Sequence, residues 1–305
     1  MDDRMYQRKF EMEGSSCDLT VFAENYMNTS EVFMVAQSRP NNGRLSKYYD
    51  RLVDVDAVGD RDWDGFTTYQ ELRDMADYGV RNVEMINNLQ RYTHKAVVKE
   101  EEKYTRKTLD VAGGGVNVPL LLTGAPTCMY SKKKAAVRSK IINMGLHCEI
   151  TAEVSRERYA HAGMLIAQLV SKLEKAGYRL RINTMDAYYS GGSRINVLTT
   201  VVKKENEPMN YARLLYPLTN VSFSRGMGFG WCCRNPDFKS GSFGTYAENA
   251  FGSDKKLKMD EMFERSTGLR GFTSFTIKDI INMYRDKGDE ATMKYMEARL
   301  ISSIQ

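Results

Sequence analysis

Residues 137–150 read VRSKIINMGLHCEI, and this run, together with the segment after it as far as Leu218, decides the fold. Its concentration of branched and apolar residues predicts a strand. Gly145 is the weak point, because a glycine inside a strand offers no side chain to pack. Ser155 is placed to cap a helix. From Tyr159 to Ala176 the apolar residues Met164, Leu165, Leu169, Val170 and Leu173 recur at the spacing of one helical face. Gly177 stops the pattern, as a glycine just past the last turn does. YRLRI (178–182) reads as a second strand and INVLTTVV (195–202) as a third. Pro208 and Asn210 lead into a further helix near Tyr211–Leu218. Strand, helix, strand, strand, helix is the order of an α/β protein with a mixed or mostly parallel sheet flanked by helices. The first two strands are expected to be parallel and joined by a right-handed crossover.

Outward from this block the texture changes. Residues 1–43 are polar and end in SRPNNGR, which predicts an N-terminal arm or linker with one short element near Ser30–Gln37. Residues 44–130 predict a helical region, residues 131–235 the α/β core, and residues 236–305 a Gly/Ser/Asn-rich loop with helices after it that pack on the core. In that last part Thr276 and Asp279 form a capping box for IKDIINMYRDK, and Gly288 ends the helix. Asp289 is placed to cap EATMKYMEARLISSI, so a C-terminal helical hairpin is expected. Met293, Met296, Leu300 and Ile304 keep helical spacing, the pattern of core packing or of a partner surface.

The 305 residues are 42% hydrophobic and 27% charged, with a net charge of +5 and a pI near 8.8. This is a chain able to bury a core, with a mildly basic balance that admits a nucleic-acid partner without requiring one. The five cysteines, Cys17, Cys128, Cys148, Cys232 and Cys233, form no CxxC pair, and the three histidines are not spaced with them as zinc sites require. Reduced thiols in a cytosol are expected. No apolar run reaches the roughly 20 residues of a membrane helix. The opening MDDRMYQRKFEMEG lacks the apolar centre of a secretory signal. The expectation is a cytoplasmic protein with no membrane partner.

Residues 59–72, GDRDWDGFTTYQEL, carry Asp60, Asp62, Asp64, Gly65 and Glu71 at positions 1, 3, 5, 6 and 12 of an EF-hand calcium loop. Against that reading, Thr67 stands where an aliphatic is usual and no second loop exists. The incoming helical pattern also stops before Gly59. The competing reading is a capped helix. Thr68 and Glu71 make T-x-x-E ahead of YQELRDMADY, which Gly79 terminates, with Trp63 anchoring the loop.

Two stretches, WDGFTTYQELRDMADYG (63–79) and DVAGGGVNVPLLLTGAPTCM (110–129), together with the strand–helix–strand block and residues 201–230, resemble a poorly characterised family of bacteriophage proteins. The resemblance spans roughly Trp63 to Gly230. It implies an α/β core, a Trp–Gly turn that is a structural signature rather than a calcium loop, and residence in the host cell cytoplasm. It brings no activity. The order of core elements is also similar to a von Willebrand A-like fold, whose members hold a divalent cation with D-x-S-x-S after the first strand. The nearest match is Glu149-Ile-Thr151-Ala-Glu153, with glutamates in place of the aspartate and one serine. Asp186 is a candidate from a later loop. These residues and the aspartate loop are the metal candidates; no other cofactor is implied.

AGGG (112–115) lacks the G-K-[ST] that completes a P-loop, and SGGS (190–193) is no nucleophile elbow. His147 and Cys148, adjacent on a strand, point to opposite faces and form no dyad. The sequence favours a non-enzymatic protein without deciding the matter. The basic run SKKKAAVRSK (131–140), with Lys132, Lys133, Lys134, Arg138 and Lys140, reads either as a solvated linker or as a phosphate contact. FSRGMGFGWCCR (223–234) adds Arg225 and Arg234 to the nucleic-acid candidates, against the alternative of a buried loop. The expected function is binding of a macromolecular partner through the α/β core. A nucleic-acid-binding protein of phage replication or packaging and a virion or assembly component are the alternatives. The expected partners are protein or self-assembly, with nucleic acid as the other class.

Overall fold

The computed structural model describes residues 6–14, 18–40, 52, 54–56, 58–95, 104–112, 115–134, 140–150, 153–189, 193–236, 238 and 255–302. In chain order its strands and helices are β1 (Tyr6–Glu13), β2 (Asp18–Tyr26), α1 (Thr29–Ser38), α2 (Arg61–Asp64), α3 (Tyr69–Tyr78), α4 (Val83–Lys95), β3 (Tyr104–Asp110), β4 (Gly115–Val116), α5 (Val118–Leu122), β5 (Met129–Lys134), β6 (Ile141–His147), α6 (Arg156–Lys175), β7 (Arg179–Tyr189), β8 (Arg194–Lys203), α7 (Tyr211–Thr219), a π-turn (Phe223–Gly228), α8 (Phe229–Arg234), α9 (Lys255–Thr267), β9 (Phe272–Thr276), α10 (Ile277–Lys287) and α11 (Asp289–Ser302). They fall into two units, a body of Met1–Ala96 with Ile141–Gln305 and a small unit of Val97–Lys140.

The body is built on a six-stranded sheet of order β1-β2-β8-β7-β6-β9. β2/β8, β6/β7 and β6/β9 are parallel, while β1/β2 and β7/β8 are antiparallel. The mixed sheet expected from residues 137–202 is therefore present, with larger membership. Within the expected N-terminal arm, the described residues Tyr6–Glu13 and Asp18–Tyr26 join the sheet. β1 and β2 are sheet strands, and Leu19, Val21 and Ala23 bury the alternate positions of β2. β9, unforeseen in the C-terminal part, pairs with β6 from Asn143↔Phe272 to His147↔Thr276.

Two apolar layers flank the sheet. On one face Ile142, Met144, Leu146, Leu180 and Ile182 meet Leu165, Leu169 and Leu173 of α6, Leu214 of α7, Ile280 of α10 and Met296 of α11. On the other, Val21, Met185, Ile195 and Val197 meet Met259, Met262 and Phe263 of α9. This second layer accounts for Gly145. A Cβ there would stand 2.8 Å from the Phe263 ring, so the strand omits its side chain to let the ring approach. Ser155 caps α6 by accepting from the Arg158 amide, and Gly177 stands just past the helix at φ +85°. Thr276 accepts from the Asp279 amide at the start of α10, and Gly288 closes that helix. Met296 and Leu300 are core residues; Ile304 lies outside the described residues.

One buried carboxylate ties the sheet edge to the helices. Glu24 on β2 accepts from Gln7 Nε2 of β1 (3.1 Å), from Arg39 Nη1 and Nη2 just after α1 (3.0 and 2.9 Å), from Trp231 Nε1 of α8 (2.8 Å) and from the Tyr26 hydroxyl. Burial and the neighbouring Glu24 charge hold the Tyr26 phenol well above its ordinary pKa, so Tyr26 stays a donor.

The small unit is an antiparallel sheet of order β3-β5-β4. Its strands occupy part of what reads as the helical region, and β5 takes in Lys132, Lys133 and Lys134. The lysine run is thus a strand of this unit rather than a lead-in to β6.

Candidate functional site

The carboxyl ends of β6 and β9 lie side by side, and the strand order reverses at β6, between β7 and β9. Ligands of open α/β sheets collect outside such ends. Beyond His147 the chain continues along β7. The Cys148 amide donates to Met185 O (3.1 Å), and Glu149 Oε2 accepts from the Ala187 amide (3.3 Å). His147 is enclosed, edge-on to Phe263, and burial pushes its imidazole pKa down to about 3. The ring is neutral at physiological pH, so its 3.8 Å approach to Glu149 is a polar contact and not an ion pair. Glu149 is 6% exposed, Glu153 is exposed, and Thr151 lies outside the described residues. The expected metal pattern is therefore split, with one carboxylate turned into the protein and one facing solvent.

A polar layer lies over β7 on the α6 face. Asp186 is fully buried, and neither carboxyl oxygen has a hydrogen-bond partner. Burial raises its pKa well above the ordinary carboxylate range, which disfavours the anion that a metal would need. The π-turn closes over it. A Cβ on Gly228 would stand 2.4 Å from Tyr188 Oη and 2.8 Å from Asp186 Oδ2, which is why the turn carries glycine there. π-Turns recur at functional positions in helices. Nearby, Tyr159 Oη donates to Pro217 O (2.6 Å). Burial raises the Cys148 and Cys232 thiols, and after it Asp186 raises the first and Cys233 the second. They behave as inert core thiols rather than nucleophiles.

The aspartate stretch is built of helix caps. Asp60 accepts from the Asp62 and Trp63 amides at the start of α2, and Asp64, buried, accepts from the Asp60 amide (2.7 Å). Gly65 ends α2 at φ +79°, where a Cβ would meet Asn220 Oδ1 at 2.3 Å. Thr68 accepts from the Glu71 amide, while Glu71 reaches back to the Thr67 amide (2.8 Å) and to Arg61 (3.1 Å). Asp62 projects into solvent with a side chain 98% exposed. Asp60, Asp64 and Glu71 thus spend their oxygens on backbone amides, as the capped-helix reading requires. Among the described residues no three His, Cys, Asp or Glu groups come together as a metal site.

Arg225 corrects the phosphate expectation. It is 2% exposed, donates to Trp63 O (2.8 Å) and Val154 O (3.1 Å), and lies 4.0 Å above the Trp63 ring. It latches the Trp–Gly turn to the π-turn and does not face a partner. Arg234 is half-buried and donates to Arg39 O. Lys140 is exposed, and Arg138 lies outside the described residues. Lys107 on β3, in the basic pair of YTRKTLD, is the direct register partner of Lys132, a pairing that the helical expectation for this region did not contain.

A cleft of about 650 Å³ lies between α3, α4 and the start of α6. Its three arginines are matched by acids, Arg61 with Glu71 (3.1 Å), Arg81 with Asp74 (3.0 Å) and Arg156 with Asp62 (4.0 Å), so it offers no surplus charge to a ligand. Among the described residues no helix is long and apolar enough to cross a membrane.

A family model described as a domain of unknown function (DUF7192) matches residues 9–287, and the chain belongs to that family. No curated protein and no solved structure matches it.

Proposed function

We propose that this DUF7192 member is a non-enzymatic, phage-type binding protein whose von Willebrand A-like core offers the carboxyl edge of its parallel strands to a protein partner. The observation that carries the reading is the strand order β8-β7-β6-β9, with α6 linking β6 to the parallel β7, and β8 antiparallel to β7. That succession is similar to von Willebrand A-like domains, and the reversal at β6 is where such sheets take ligands. Glu153 and the start of α6 lie on the solvent side of this edge.

Domains of that kind use a divalent cation here, and the residues of this chain do not fit one. Glu149 is turned inward onto the Ala187 amide, and Asp186 is enclosed, with its pKa raised by burial. Recognition is therefore assigned to the exposed side chains and backbone of the edge, with no metal step.

The test is site-specific photocrosslinking in the cells that naturally make the protein. A photoreactive residue at Glu153 is expected to give one nuclease-resistant protein adduct. The same residue at Arg179, where β7 begins at the opposite edge, is expected to give none. Equal labelling from both positions, or no protein adduct from Glu153, would refute the assignment.

A further inference from the structure

We propose that the small unit, Val97–Lys140, is a duplex-nucleic-acid-binding β-ribbon that contacts phosphates through Lys107, Lys132 and Lys134, which share one face of the β3–β5 pair. This site is separate from the carboxyl edge and does not depend on the reading given for it.

Charge is the first support. The whole chain has 44 lysines and arginines against 39 acids. The small unit holds nine of the former (Lys99, Lys103, Arg106, Lys107, Lys132, Lys133, Lys134, Arg138 and Lys140) and four of the latter (Glu100, Glu101, Glu102 and Asp110), and the rest of the chain balances at 35 against 35. The entire net charge of +5 therefore resides in this one short segment. Proteins that bind nucleic acid concentrate basic charge in this way, because phosphate contact releases condensed counterions.

Register is the second. Lys107 is paired directly with Lys132 across β3 and β5. Like charges at directly opposed positions destabilise an antiparallel pair. A polyanion seated on the ribbon converts that repulsion into attraction.

The third is the division of the unit along its strands. Residues 111–131 carry no charge. Leu109, Val116, Val118, Leu121 and Leu122 are all exposed there, at the end where β3 pairs with Tyr130 and Met129. A basic ribbon with an apolar end suits a duplex. The major groove admits a two-stranded ribbon, and architectural proteins press apolar wedges between base steps while basic residues hold the backbone. A single strand has no groove for the ribbon, and a free phosphate has no use for the apolar end.

The experiment is anisotropy titration of the full chain with a short labelled duplex, a single strand of the same length, and vesicles rich in anionic lipid, over a series of salt concentrations. Duplex binding is expected to be the tightest and to weaken with salt. Changing Lys132, Lys133 and Lys134 to Ala is expected to flatten the log–log salt slope by about 1.8, at roughly 0.9 for each of the two contacts made by Lys132 and Lys134. An equal charge change in the body, at the exposed Arg285, Lys287 and Lys294, is expected to leave the slope unchanged. Leu121→Ser with Leu122→Ser should weaken duplex binding at constant slope. Lys107→Glu guards against misfolding. It replaces a like-charge pair by an opposite one, so it should stabilise the ribbon while lowering affinity, whereas a purely structural lysine would move both together. Absence of duplex binding at low salt, tighter binding to vesicles or single strands, or equal losses from the two triple variants would overturn the proposal.

Discussion

The body and the small unit treat polar groups in opposite ways. In the body, cations and acids are matched and many are enclosed. Glu24 collects donors from β1, α1 and α8, Arg225 is spent on two carbonyls, and Lys203 sits buried against Glu174 at 3.0 Å. In the small unit, lysine stands opposite lysine and the apolar side chains of α5 face solvent. Around Glu24, Arg225 and Lys203 the body satisfies its own polar groups, so these groups report on folding. The small unit holds nine lysines and arginines against four acids, and that surplus is what the proposed duplex would meet.

The largest expected effect tests that satisfaction directly. Glu24→Ala removes the buried acceptor of the Arg39 guanidinium and the Trp231 indole, and should cost the body about 3–5 kcal/mol, the range for removing one side of a buried ion pair. Urea denaturation measures it; a loss under about 0.5 kcal/mol, as for a surface change, would erase the contrast. Next comes Leu169→Ala, at a position with no exposed surface, expected to cost about 2–5 kcal/mol. The same measurement checks it, and a near-neutral result would mean that α6 does not seat on the sheet as described.

Two titrations sharpen the picture at up to about 1.4 kcal/mol per pH unit each. The His147 imidazole is depressed from 6.5 to about 3 in the folded state. Between those values the unfolded chain binds the extra proton, so this contribution is complete above 6.5 and is lost as pH falls towards 3. Asp186 is shifted the other way by its burial. Its contribution is complete below the unfolded carboxylate pKa and is lost as pH rises through the folded one. His147→Asn should flatten the acid side of the stability profile, and Asp186→Asn should gain on the parent protein as pH rises above about 4. Parallel profiles for parent and variant would place these groups in water. The smallest effect belongs to the ribbon. Lys107→Glu should raise stability by about 0.2–1 kcal/mol, the scale of a cross-strand pair, seen as slower amide exchange in β3 and β5.

The same division explains what the sequence made legible. The run from β6 to α7 was readable because its signals are local: the Ser155 cap, the apolar face ending in Leu173, and Gly177. β2 was not, because its parallel partner β8 lies far along the chain and no turn announces the pairing. β9 is five residues long and abuts α10 with no breaker, so its strand character comes from docking on β6. Arg225 read as a surface cation because burial depends on Trp63, remote in sequence. Asp186 was visible as a residue but its enclosure was not, since the π-turn that covers it is supplied by residues 223–228. The lysines of β5 were legible as charge, and only the register revealed Lys107 opposite them.

The assignment of duplex binding to the ribbon rather than to the body is tested most directly by hydrogen–deuterium exchange of the intact chain with and without a short duplex. The account predicts slowed exchange in Tyr104–Asp110 and Met129–Lys134, with the body amides of β6, β7 and the π-turn unchanged. Protection centred on the body strands, or none anywhere at a duplex concentration that saturates binding, would contradict it.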